Sequence, residues 1–304
     1  MKRLVLGMAW AGLLLGSANA ADMRVKAVAP IPVAVANWTG CYIGGDIGWY
    51  TAKQDGITSA FPSPGFGAPA INGGGIAGYG VLPTSHGLGR DGVIGGGLAG
   101  CNYQMNKLVF GIEGDVSWID RNSSDARPVN GSFAGVANFP VAGTNMRLNA
   151  SNDWVATLRG RLGLVVGPTN NWMIYGTGGV ALTETRYSAA FTPSTDPTSL
   201  FGFGCPAGGA CFGRSSATLT QQKAGWVAGA GVEWMLTPNW LVRAEYLHYQ
   251  FEGASGVVPA VLASGAAACA GCGWNANWSD LKIDSVRVGL SYKFGWASPV
   301  VAKY

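Results

Sequence analysis

The chain has 304 residues, of which 48 are Gly and 12 are Trp, while only 12% are charged and the formal net charge is +4. With Lys2 and Arg3 of an expected leader removed, 18 bases face 16 acids, a balance that gives no basis for nucleic-acid binding. The run nearest to a membrane helix after the leader, VVPAVLASGAAACAGCGW, is broken by Pro and Gly, so a helical membrane protein is excluded.

Lys2 and Arg3 open the chain, and an apolar run from Leu4 to Leu15 follows. Ala18 and Ala20 then precede a cut at Ala21, which makes 1–20 a secretory signal peptide. The run is too short to span a membrane, and a buried first helix is the bland alternative. The segment 21–37 is expected to be a flexible tail.

From Trp38 the pattern changes to a period of two, the signature of strands. Eight strands are expected, at 38–50, 92–104, 107–120, 152–166, 172–187, 223–236, 240–252 and 282–294. In the third, Leu108, Phe110, Ile112, Val116 and Trp118 alternate with Val109, Glu113, Asp115 and Ser117. In the fourth, Trp154, Ala156, Leu158, Leu162 and Leu164 alternate with Thr157, Arg159 and Arg161. In the sixth, Trp226, Ala228, Ala230, Val232 and Trp234 alternate with Val227 and Glu233. In the seventh, Val242, Ala244 and Tyr246 alternate with Arg243 and Glu245. In the last, Val286, Val288, Leu290, Tyr292 and Phe294 alternate with Arg287, Ser291 and Lys293.

Three connections are tight, "MN", "GPTNN" and "TPN", and four are long, at about 30 to 40 residues each. Short and long alternate strictly, as in a closed meander with turns at one rim and loops at the other. The fold class is therefore all-β: an eight-stranded antiparallel up-and-down transmembrane β-barrel over 38–294 with long extracellular loops, followed by a C-terminal tail at 295–304. A soluble sandwich would also alternate. The aromatics argue against it. Trp226 and Trp234 bracket one strand, and Trp38, Trp49, Tyr103, Trp118, Trp154, Trp172, Trp240, Tyr246, Tyr292 and Phe294 fall at comparable strand ends. Two aromatic girdles are expected where strands cross both membrane interfaces. The apolar face then meets lipid, and the face bearing Arg287 looks inward.

The segments NWTGCYIGGDIGW, GGGLAGCNYQ, KLVFGIEGDVSW, WVATLRGRLGLV, WMIYGTGGVAL, GWVAGAGVEW, NWLVRAEYLHY and the terminal RVGLSYKFG resemble the small porin-like outer-membrane proteins of alpha-proteobacteria, the outer-membrane immunogenic proteins. The resemblance spans all eight strands but not the long loops. It implies an OmpA/OmpX-type barrel in a Gram-negative outer membrane, with both termini periplasmic and the loops outside the cell.

Other motifs carry less. GGGLAG at 95–100 matches a dinucleotide fingerprint, but strand follows it rather than helix, so close packing in a curved sheet explains it better. CAGC at 269–272 has no second CxxC and no His cluster beside it. In an exported chain structural disulfides are the expected use. Cys41 and Cys101 fall near the same rim on the outward face, where a cross-strand bridge can form. Cys205–Cys211 and Cys269–Cys272 are expected as local pairs, with exchange between the two loops as the alternative. His86 and His248 are the two histidines. A lone rim histidine carries no geometry, and no catalytic triad, metal cluster or cofactor site is legible.

The inward face carries Asp46, Glu113, Asp115, Glu233 and Glu245 with Arg159, Arg161, Arg243, Arg287 and Lys293. An eight-stranded barrel is just wide enough for side chains to fill, so these ten are expected to pair across the lumen as a plug. The leading functional reading is a structural and surface-interaction protein. Its expected partners are outer-membrane lipid and lipopolysaccharide, the barrel-assembly machinery, and a host or cell-surface ligand at the loops. The alternative is a narrow porin or a receptor for a small ligand such as haem. An enzyme using His248 is the weakest reading.

Overall fold

Thirteen strands are present among the described residues: β1 (Gly40–Lys53), β2 (Asp55–Phe61), β3 (Tyr79–Val81), β4 (Thr84–Gly87), β5 (Arg90–Met105), β6 (Leu108–Phe133), β7 (Val136–Val166), β8 (Trp172–Thr192), β9 (Ser215–Met235), β10 (Trp240–Phe251), β11 (Ala254–Pro259), β12 (Gly273–Trp278) and β13 (Leu281–Lys293). The computed structural model describes residues 36–61, 79–81, 83–133, 136–193, 213–259, 261, 264–265 and 273–294. The expected signal peptide, residues 21–35 of the tail, the tail 295–304 and Cys205, Cys211, Cys269 and Cys272 lie outside them.

Eight strands close a ring. β1 pairs with β5, and the order continues through β6, β7, β8, β9, β10 and β13 back to β1, every pair antiparallel. These are the eight strands expected from the alternation. At the turn rim the sequence sets the ends closely. β5 and β6 are joined by Asn106 and Lys107, with Asn106 at φ 58°, a left-handed conformation that Asn tolerates.

Side chains divide as the period of two requires. On β13, Val286, Val288, Leu290 and Tyr292 face outward while Arg287, Ser291 and Lys293 are buried. The small bore forces glycine inward at close approaches. A Cβ on Gly48 would lie 2.1 Å from the Val286 carbonyl oxygen, and one on Gly179 would lie 2.0 Å from that of Leu158. Only glycine fits there.

The loop rim differs from expectation. The second and third long connections are not simply loops, because β6, β7, β8 and β9 continue well past the girdle, and β6 and β7 pair as far as Phe133 and Val136. The other four strands break at one level: at Gln54, at Leu88 and Gly89, at Glu252 and Gly253, and at Ser279 and Asp280. Beyond the breaks they resume as a second sheet in the order β11-β12-β2-β4. Leu148, Tyr187, Phe191, Val258, Trp274 and Trp278 form part of an apolar core between this sheet and the β6–β9 extension. Tyr187 meets Trp278 at 5.0 Å and Phe191 stacks on Trp274 at 4.8 Å between ring centroids. The ring thus ends in a two-sheet cap.

Two expectations are corrected. Alternation does not run unbroken into 152, since register shifts near Trp118 and between Asn152 and Val155 mark a bulge that brings Asn152 and Val155 both inward. Trp38 is not a girdle residue. It is fully buried in the turn-rim mouth among Tyr42, Val109, Val165, Met173 and Leu241, with its Nε1 donating to the Asn170 carbonyl at 3.0 Å. The other girdle aromatics face outward or partly outward, as the alternation requires.

Candidate functional site

The lumen is filled in layers. At the turn rim, Trp38, Tyr42, Leu98, Val109, Met173 and Leu241 belong to one apolar layer. Nearer the loop rim, Tyr50, Ile94, Ile119, Val227, Tyr249 and Ile283 belong to another. Between them lies an ionic layer, built from inward positions of β1, β6, β7, β9, β10 and β13.

Arg159 is its hub. Its Nη2 donates to Glu113 Oε1 at 2.7 Å and Asp115 Oδ2 at 3.0 Å, and its Nη1 donates to Glu245 Oε1 at 3.0 Å. Arg161 reaches Glu233 at 2.6 Å and Glu113 at 3.2 Å. Arg243 reaches Glu113 at 2.7 Å and Glu233 at 3.8 Å. Arg287 reaches Asp115 at 3.3 Å, Asp46 at 3.4 Å and Glu245 at 3.4 Å. These side chains are at most 3% exposed.

Two kinds of pair are present. Glu113 sits directly opposite Arg159, and Glu245 opposite Arg287, as neighbours on adjacent strands. Arg159 to Glu245 and Arg243 to Glu113 cross the bore. The second kind needs opposite walls within side-chain reach, which only a narrow ring gives. Charge-assisted bonds of this geometry are what make buried ions tolerable.

Nine of the ten inward charges expected from the sequence meet here. Lys293 does not join the ion pairs; its Nζ donates to the Asn37 carbonyl at the mouth. That contact and the Trp38 bonds fold residues 36–39 under the barrel. Neutral members were missed. Tyr42 donates to Glu113 at 2.6 Å, Tyr175 donates to Glu245 at 3.0 Å, and Thr157 donates to Asp115. Their inward parity was legible, but nothing in the alternation ranks a tyrosine as network rather than core.

Cys41 and Cys101 face each other in register on β1 and β5 and form a disulfide. His248 lies at the loop-rim end of β10, against the Trp226 ring at 5.2 Å, with Nδ1 2.7 Å from Asp284 Oδ1. Tyr246 donates to the same oxygen at 2.6 Å. His86 is buried in the cap, where its Nε2 lies 3.2 Å from the Thr58 hydroxyl. Gly95 to Gly100 lie within β5, with no helix after them.

The chain is similar to known proteins over most of its length. The chain is 29% identical to the 31 kDa outer-membrane immunogenic protein of Brucella melitensis, over 97% of this chain and all of that one. It is 25% identical to the 25 kDa outer-membrane immunogenic protein of Brucella abortus, over 97% of this chain and 99% of that one. Among solved structures it is similar to OprG of Pseudomonas aeruginosa, at 16% identity and a TM-score of 0.39, covering 86% of this chain and 99% of that one. The model of the outer membrane protein beta-barrel domain matches residues 8–294. A closed eight-stranded ring with a lipid-facing apolar band, matched over that length, places the chain in the outer membrane protein beta-barrel family, in the outer membrane of a Gram-negative cell.

Proposed function

We propose that this protein is a non-conducting, non-catalytic outer-membrane anchor whose cap is its interaction surface. The observation that carries the reading is the filling of the bore: an apolar layer, an ionic layer and a second apolar layer follow one another along the axis. An ion crossing it would have to displace Trp38 and Tyr42 at one end and Tyr50, Tyr249 and Ile119 at the other. In this reading the signal peptide is cut before Ala21, and both termini and the three tight turns lie in the periplasm. The cap stands outside the cell among lipopolysaccharide, where it meets host or cell-surface ligands. Loops and extensions carried by a rigid scaffold are where such function sits. The immunogenic naming of the Brucella relatives fits an exposed cap. Planar-bilayer recording of purified monomer tests the reading. The expected result is no steady conductance, and large stable single-channel currents would overturn it.

A further inference from the structure

Between the middle apolar layer and the cap core, at the level of the strand breaks, lies a second polar layer. Its members include Arg121, Asn152, Gln54, Thr185 and Lys223. Its chemistry is unlike that of the ionic layer. Arg121 is fully buried and, among the described residues, donates to neutral acceptors: Asn152 Oδ1 at 2.7 Å, Gln54 Oε1 at 2.8 Å and the Leu88 carbonyl at 3.3 Å. Lys223 donates to the Gly253 carbonyl at 2.6 Å. Leu88 and Gly253 sit at two of the breaks, where the ladder no longer pairs their carbonyls. The two cations therefore repair the broken ladder. The Arg121 charge is left over, because carbonyl oxygens satisfy hydrogen bonds without neutralising an ion, whereas Lys223 is half-buried. Among the described residues neither cation forms an ion pair.

Among the described residues the Arg121 Nε and the Tyr187 hydroxyl, both fully buried, find no acceptor. They are close. Tyr187 pairs with Ala150, Ala150 pairs with Ser123, and Ser123 is the next inward residue after Arg121. The Lys223 ammonium lies 6.0 Å from the Tyr187 ring centroid. We propose that this layer binds a small monovalent inorganic anion, a halide, held by the Arg121 guanidinium and the Tyr187 hydroxyl with Lys223 as the second cation. Burial pushes the Arg121 guanidinium down to about 10, the direction in which an uncompensated buried cation moves. The break at Leu88 and Gly89 is followed by Arg90, which is solvent-exposed, and the Leu88 carbonyl is itself an Arg121 acceptor.

The test uses full-length mature protein folded in detergent micelles. Thermal unfolding is followed by the gel shift between folded and heated forms while sodium chloride replaces sodium gluconate at constant ionic strength. Raising a bound halide to about 100 times its Kd shifts the folding equilibrium about a hundredfold, so the midpoint should climb with chloride and with bromide. Arg121→Gln keeps side-chain donors but removes the charge, and should abolish the chloride dependence. Arg127→Gln, at an exposed pair with Asp125, should leave it intact. If Arg121→Gln does not fold, bromide soaked into crystals of the unaltered protein decides: an anomalous peak beside Arg121 Nε and Tyr187 Oη supports the site. Coincident chloride and gluconate curves, or bromide absent from this layer, overturn it.

Discussion

Replacing Arg159 with Met should destabilise the barrel by about 3–5 kcal/mol, the range for removing one partner of a buried ion pair. The magnitude follows from what the guanidinium touches. It makes three charge-assisted bonds, to Glu113, Asp115 and Glu245, with no side chain among them more than 2% exposed. At roughly 1.5–3 kcal/mol for each hydrogen bond to a charged group, their gross worth exceeds the prediction. The excess is offset because no acid is orphaned. Glu113 keeps Arg161 at 3.2 Å and Arg243 at 2.7 Å, while Asp115 and Glu245 keep Arg287 at 3.3 Å and 3.4 Å. Met fills much of the space left by the stem, so the cavity contribution is small. The assay is a urea titration in lipid vesicles, read by the gel shift of the folded form. A change below about 1 kcal/mol would mean that water reaches these carboxylates, and the filled-lumen reading would fail.

Removing the Cys41–Cys101 bridge with a double Ser substitution should lower stability by up to about 4 kcal/mol on the chain-entropy account, because the bridge closes a separation of 60 residues; reduced and oxidised urea midpoints measure it. Gly48→Ala should block folding, since the new Cβ would lie 2.1 Å from the Val286 carbonyl oxygen, whereas Gly97→Ala should fold normally with its nearest neighbour 3.9 Å away; folded yield on gels separates them. His86, in the cap, has its pKa lowered chiefly by burial. The unfolded chain therefore takes the proton first, so cap stability is full above about pH 6.5 and falls as pH drops below it, and His86→Gln should flatten that slope in a thermal titration.

The ring was legible because period two survives wherever one face meets lipid. Leu158 and Leu162 against Arg159 and Arg161 leave one register for β7. The same clarity set the three tight turns, whose Asn, Pro and Gly have local reasons to bend. The cap was less legible for a physical reason. Its outer faces meet water, so Asn145, Arg147 and Asn149 alternate with Met146, Leu148 and Ala150 without the aromatic contrast of the girdles. Trp38 was misplaced because a tryptophan before the first strand suits a girdle or a mouth equally, and only a fold-back contact with Asn170 decides. Arg121 was overlooked since its acceptors come from opposite ends of one long connection, Gln54 and Leu88, and from a bulge in β7, Asn152, and share no spacing.

The ionic layer also bears on which register the strands choose. Sliding β7 by one residue against β6 would send Arg159 and Arg161 into lipid and Leu158 and Leu162 into the bore. Each arginine at the bilayer midplane costs about 2–4 kcal/mol, and Glu113 would also lose its partners Arg159 and Arg161. A filled apolar lumen would resist the slip only by shape, because Leu and Ile are welcome on either face. The prediction is that neutralising this sector, with Arg159→Met, Arg161→Met, Glu113→Leu and Asp115→Leu together, costs less stability than Arg159→Met alone but loosens the register. Val116 and Ala156 are paired and outward in the native ring, so Val116→Cys with Ala156→Cys reports the native alignment. Val116→Cys with Thr157→Cys reports a slip. In the neutralised chain the first cross-link should fall and the second should rise. If the native cross-link stays quantitative, packing alone fixes the alignment, and the charges serve only to fill the bore.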